Sequence, residues 1–166
     1  MSLVLGLLAI AAAAATVLAV VMRHRTRSLQ PGVDVPFSAD ARRALDAASQ
    51  EARALGHDAI APEHILLALT NTASETWWSS LSPSGVDASA IRSELLAQFP
   101  ATQPDVSPSQ LPFTARAVTA MRNAVHRAET QNQPETSTRE LIWGVMRDRR
   151  SEAGQILRHH GVPDAA

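Results

Sequence analysis

Four histidines are the first residues to weigh for chemistry. His57 and His64 bracket a turn, and His159 and His160 stand side by side near the C-terminus. Zinc would need further ligands at set spacing, and the chain has neither an HExxH pattern nor a cysteine. His57 and His64 are therefore expected to be hydrogen-bonded structural residues, His159 and His160 solvated ones, and no metal site is predicted. The absence of Cys and Tyr removes disulfides, thiolate ligands, Cys nucleophiles and Tyr acid/base chemistry. All 15 basic side chains are Arg. Without Lys there is no Walker-A phosphate loop, no Schiff base and no Ser-Lys dyad. No nucleophile, acid/base pair and metal constellation converges on a motif, so neither enzymatic activity nor a cofactor is expected.

The 166 residues suffice for one domain or two very small ones, and 45% apolar with 19% charged residues allow a packed core. Charge is unevenly placed. Residues 1–30 hold three Arg and no acid, whereas residues 31–166 hold twelve Arg against sixteen acids. A mildly acidic body lacks the concentrated basic face that nucleic acid requires. Arg147, Arg149 and Arg150 read as a solvated helix end, or as a basic turn that meets an acidic partner or lipid headgroups. Trp77 and Trp78 are adjacent, so one helix stripe cannot bury both. One is expected in the core and the other on a contact surface.

From Leu3 to Met22 no residue is charged. As a helix this run measures roughly 30 Å, the thickness of a bilayer's hydrocarbon. Arg23, His24, Arg25 and Arg27 follow at once, which holds that end in the cytoplasm. Residues 1–27 are thus expected to be a single-pass membrane anchor with its basic flank, and the rest of the chain cytoplasmic. A cleaved signal peptide is the competing reading; it lacks a positive n-region here. Residues 28–36 read as a linker.

The remainder contains a duplication. A shift of 76 residues lays Phe37-Ser38-Ala39 on Phe113-Thr114-Ala115, and Ala41, Ala44, Ala48 and Ala52 on Ala117, Ala120, Ala124 and Ala128. Leu81, Gly85 and Val86 fall on Leu157, Gly161 and Val162 in the same frame. The paired alanines lie three or four apart, on one helical stripe where a neighbouring helix can approach closely. Ser38 and Thr114 are N-cap candidates. The spacing predicts a first helix over Ala39–Leu55 stopped by Gly56, and a second beginning at Pro62 with Glu63 complementing its dipole. A short third helix holds Trp77, Trp78 and Leu81. Asp87 caps a fourth that reaches Phe99 with Ile91, Leu95 and Leu96 inward. Residues 100–112, with four Pro, form a linker. The second copy predicts helices near 115–131, 138–148 and 151–160. No period-two stretch occurs, so the class is all-α: repeat 1 over 37–99 and repeat 2 over 113–162, the latter lacking its fourth helix.

The segment "ALGHDAIAPEHILLAL", Ala54 to Leu69, resembles the "LGHxxIGTEHLLLGL" signature of the Clp N-terminal (Clp repeat) domain of ClpA-, ClpB- and ClpC-type unfoldases. "LPFTARAV" at Leu111–Val118 resembles the start of that family's second repeat, and "ILRHHGV" at Ile156–Val162 its "VLxxLGV" turn. The resemblance implies two four-helix repeats related by pseudo-twofold symmetry, and a module that captures protein or peptide clients and adaptors for an ATP-driven ring. Here it implies a recognition module detached from that motor. ClpC-type members bind phosphoarginine through a hydroxyl at the first helix start and the Glu of "TEH", which match Ser38 and Glu63. A carboxylate suits the ligand's guanidinium, and a hydroxyl with helix-start amides suits its phosphate. Ser38 as a plain cap and Glu63 as a plain dipole partner is the alternative. The second repeat keeps Thr114, but Arg139 stands at the Glu position, so at most one such site is expected. Phe37, Phe113, Thr114, Trp77 and Trp78 are candidates for an interaction surface, with core anchoring the alternative for the two Phe. The function expected is recruitment of clients to a Clp unfoldase-protease at the membrane, or competition with it. The alternative is a structural scaffold.

Overall fold

The computed structural model describes residues 36–73, 75–81, 85–102 and 110–163. The chain divides between Asp34 and Val35, and all described residues belong to the second unit. The anchor expected over 1–27 lies outside them. Among the described residues no helix is long and apolar enough to cross a membrane.

Five of the helices begin at an N-cap side chain that accepts an orphan backbone N–H. Ser38 accepts from Ala41 and starts α1, Ala39–Ala54. Pro62 opens α2, Pro62–Thr72, and the imidazole of His64 reaches back to the N–H of Ala61. The short α3 spans Glu75–Ser79, and Asp87 caps α4, Ala88–Gln98, through the amides of Ser89 and Ala90. Thr114 accepts from Ala117 at the start of α5, Ala115–Thr130. Ser137 and Glu140 form a capping box at α6, Thr138–Met146, and Ser151 caps α7, Glu152–His159. The α1 and α5 bounds differ by the same 76 residues as the sequence repeat.

The ends of α1 and α5 follow from left-handed backbone. Gly56 has φ 72°, and its N–H bonds to Arg53 while that of His57 reaches Ala52, a Schellman-type closure. In the second repeat the same turn is made by Asn132 at φ 54°, Asn being the non-glycine residue that tolerates this region best. Thr102 then covers the end of α1, its N–H on the Leu55 carbonyl and its hydroxyl on that of Gly56.

The core is built on α2, which touches α1, α4, α5, α6 and α7. Every residue from Pro62 to Leu69 is buried. A helix apolar on all sides belongs at the centre of a bundle, and each of Ile65, Leu66, Leu67 and Leu69 contributes about 1.5–3 kcal/mol there. All eight paired alanines are buried, as the stripe predicts. Leu96 is the exception to the predicted core: it is 39% exposed, because α4 buries Ile91 and Leu95 and turns the next position outward.

Two reciprocal β-bridges join the repeats, Phe37 with Thr136 and Phe113 with Ile60. The N–H of Ser38 bonds to the Thr136 carbonyl at 3.0 Å, and the N–H of Thr136 to that of Pro36 at 3.0 Å. The N–H of Thr114 bonds to the Ile60 carbonyl at 2.9 Å, and the N–H of Ile60 to that of Pro112 at 2.7 Å. Each repeat thus gives its leading segment to the loop of the other, and the two bridges are related by the sequence shift.

One crossing is closer than its counterpart. Ala68 of α2 becomes Gly144 of α6, where an added Cβ would lie 2.1 Å from the Ala120 carbonyl oxygen of α5. The helices approach so closely there that only hydrogen fits. Gly144→Ala is expected to lower stability by about 1–3 kcal/mol despite alanine's better helix propensity. Thermal melting followed by circular dichroism reads this as a lower midpoint, with Gly161→Ala as a comparison where space is open but φ is 77°.

Candidate peptide-binding cleft

Ser38 and Glu63 both hold backbone groups of the protein itself. The Ser38 hydroxyl caps α1, and one Glu63 carboxylate oxygen accepts from the N–H of Ala153 at 3.3 Å. Glu63 is only 7% exposed, and its partner lies in the first turn of α7 in the other repeat. The helix macrodipole and the open amide favour an anion at this point. No hydrogen bond joins Ser38 to Glu63 among the described residues.

The pseudo-twofold relation gives this contact a counterpart that differs in chemistry. Glu63 corresponds to Arg139, and Ala153 to Trp77. A guanidinium has no acceptor, so Arg139 cannot close the seam as Glu63 does. Instead, Trp77 and Arg139 line an open cleft of about 520 Å³ with Arg127, Gln131, Gln133, Glu135, Ser137 and Glu140. Trp77 is half-buried and stands edge-on to the buried Trp78, ring centroids 5.1 Å apart. Of the adjacent pair, one is core and the other lines the cleft, as the spacing requires.

Arg127 is the least expected member. It is 9% exposed, its Nε is buried with no partner among the described residues, and its guanidinium lies 4.7 Å from the Trp143 ring centroid. Arg147 lies over the same ring at 5.2 Å. The corresponding residue of repeat 1 is Glu51, which binds Arg92 of α4 at 3.1 and 3.2 Å and also accepts from Asn71. Leu67 likewise becomes Trp143. Two neighbouring positions that change character together between the repeats were the available sign of this site. Glu140 balances part of the charge, but its carboxylate is engaged by the N–H and hydroxyl of Ser137. The cleft therefore offers an aromatic face, amide groups, two guanidiniums and a buried N–H without an acceptor. That set can hold a peptide segment through its carbonyls, carboxylates and apolar side chains.

The remaining predicted surface residues separate by burial. Phe37 is 3% exposed and Trp78 is fully buried, so both are core and neither offers a contact surface. Phe113 and Thr114 are half-buried at the seam. His57 and His64 form a relay. The Ala61 N–H donates to His64 Nδ1 at 2.9 Å, which leaves His64 Nε2–H to donate to His57 Nδ1 at 2.7 Å. His57 Nε2–H then donates to the Pro100 carbonyl at 3.2 Å, and Phe99 packs edge-on against both rings. His159 is exposed, as expected, whereas His160 is partly covered and corrects the expectation of a solvated side chain; both contact Glu94 of α4, because the end of α7 packs on that helix.

A family comparison completes this geometry. The model of the Clp repeat (R) N-terminal domain matches residues 36–160. The chain belongs to that family. A homolog of the ATP-dependent Clp protease ATP-binding subunit ClpA from Porphyra purpurea is 38% identical over 64 residues, which is 39% of this chain and 8% of that relative. The Clp repeat fold recurs in the N-terminal domain of the caseinolytic protease-associated chaperone ClpD from Arabidopsis thaliana. That structure has a TM-score of 0.59 and 20% identity, over 77% of this chain and 86% of that one. The Hsp104 N-terminal domain from Candida albicans aligns with a TM-score of 0.65 and 12% identity, over 78% and 84%. Within the Clp repeat frame, Glu63 of the family motif serves here as an inter-repeat cap.

Two outcomes follow. Glu63→Ala strands the buried Ala153 N–H and is expected to cost about 1–3 kcal/mol, with Glu63→Gln milder because an acceptor remains; urea midpoints measure both. Burial, and secondarily His57, lowers the His64 pKa from 6.5 to about 4. The unfolded chain therefore takes up this proton first, so the relay's contribution is complete above pH 6.5 and is lost as pH falls towards 4. The expected loss is at most about 3 kcal/mol. Urea midpoints across this range should fall more steeply for the native chain than for His64→Gln.

Proposed function

We propose that this chain is a non-enzymatic, protein- or peptide-binding module whose client segment enters the cleft between Trp77, Arg127 and Arg139. Clp N-terminal domains bind substrates and adaptors in unfoldases, which supports the general reading. The observation that carries the location is the broken pseudo-symmetry: one inter-repeat position is sealed by Glu63, whereas its counterpart stands open with a buried, unpaired Arg127 Nε at its wall. With residues 1–27 as a single-pass anchor, the module works at the cytoplasmic face of the cell membrane. There it recruits clients or adaptors to a Clp unfoldase-protease, or competes with that machine for them.

Arginine-phosphorylated segments fall within this client class. For them Ser38 and Glu63 are the family-derived pair, and binding requires both side chains to exchange their present bonds to the Ala41 and Ala153 amides. The Trp77 cleft demands no such exchange.

Fluorescence anisotropy with the full chain and a peptide panel, arginine-phosphorylated members included, tests the assignment. Trp77→Ala and Arg139→Glu should each weaken binding by about 1–2 kcal/mol, roughly five- to thirtyfold, with helicity retained. Binding that survives both changes but is lost in Ser38→Ala moves the site to the Ser38–Glu63 pair. If no peptide binds and no Clp subunit co-purifies with the membrane-extracted chain, the scaffold reading replaces this one.

A further inference from the structure

The end of α7 carries a side-chain cluster that peptide binding does not use. Glu94 projects from α4, in repeat 1, towards His159, the last residue of α7, and His160, its C-cap, in repeat 2. Glu94 Oε2 lies 3.2 Å from His159 Nδ1 and 2.8 Å from His160 Nε2. One ligand atom from each of the three residues lies within 4.8 Å of the others. Consecutive residues of a continuing helix point about 100° apart, which would separate the two rings. Here both side chains turn to the one Glu94 carboxylate at the end of the helix, and the imidazoles lie with centroids 5.3 Å apart.

We propose that Glu94, His159 and His160 form a binding site for a divalent transition metal of the zinc class, which clasps repeat 1 to repeat 2. The donor set is two imidazole nitrogens and one carboxylate oxygen, the hard-to-borderline combination that zinc accepts. Around zinc, with bonds of about 2.0–2.1 Å, tetrahedral ligand atoms sit roughly 3.3–3.5 Å apart. The 2.8 Å contact must open by about half an ångström, a rotamer-scale adjustment. Asp87, the α4 N-cap, is near enough to feel His160 and adds a second negative charge to the surroundings. One of the three ligands faces solvent: His159 is exposed, whereas Glu94 and His160 are partly covered. Three protein ligands and an exposed side leave the fourth position to water. The role is structural. Because the ligands come from both repeats, a bound ion stabilises the folded pair by mass action and releases protons from any charged imidazole.

Zinc chloride titrated into the full chain, followed by calorimetry and by thermal melting with and without chelator, tests this assignment. The expected result is saturable one-to-one binding that raises the melting midpoint. Glu94→Gln should weaken it roughly tenfold or more, already the scale of loss when only a supporting group is removed. The combined change His159→Ala with His160→Ala should abolish it, and His126→Ala should leave it unchanged. Paramagnetic cobalt(II) supplies a readout that needs no variant: it should broaden the imidazole proton signals of His159 and His160 before that of His126. Absence of saturable zinc binding in the micromolar range overturns the proposal. So does binding that persists in the doubly substituted chain, or cobalt broadening that is equal at all three histidines.

Discussion

Four backbone hydrogen bonds across the seam hold the two repeats in register. They run between Pro36–Ser38 and Thr136 on one side, and between Pro112–Thr114 and Ile60 on the other. None depends on a side chain, which explains how the repeats can diverge in sequence while the relation between them persists. Phe37, Ile60 and Thr136 are buried where these segments cross, so the bonds are shielded from competing water. The caps at Ser38 and Thr114 follow directly from the bridges, because the residue that ends each bridge also begins the next helix. Through α1 and α5 the seam then sets where α2 and α6 lie, and hence where Glu63 and Arg139 meet the opposite repeat.

Duplication produces two equivalent positions, and substitution makes them unequal. A carboxylate at residue 63 can accept from the buried, otherwise orphan amide of a helix start, whereas a guanidinium at residue 139 cannot. The first position closes and the second remains a cleft. The same divergence turns the Glu51–Arg92 ion pair of repeat 1 into the Arg127–Trp143 stack of repeat 2. An open cleft has thus arisen on a pseudo-symmetric scaffold without any change of fold.

Features governed by neighbours in the chain were legible in the sequence. The alanine stripes, the Ser38, Asp87 and Thr114 caps, the Gly56 stop and the division of labour between Trp77 and Trp78 all rest on spacing of a few residues. The comparison of repeats also exposed Arg139 as a departure. Features that depend on residues far apart were not legible. Glu63 finds Ala153, Glu94 finds His159 and His160, and Arg127 finds Trp143 only after the bundle has formed. Leu96 was assigned inward because α4 carries apolar residues on more than one face, so periodicity alone could not select the buried one. His159 and His160 were expected to be solvated from their place near the C-terminus; His159 is, but the Glu94 carboxylate that both rings meet lies 65 and 66 residues away in the chain.

The crossed bridges also bear on how the polypeptide matures at the ribosome. The segment around Phe37 has its partner at Thr136, so the first half cannot finish its seam until almost the entire domain has emerged. During that interval the leading segment and the loop at Ile60 present unpaired amides and carbonyls beside apolar surface. Nascent chains of this architecture should therefore acquire their final packing late and in one cooperative event, and two molecules synthesised close together could trade leading segments before each closes on itself.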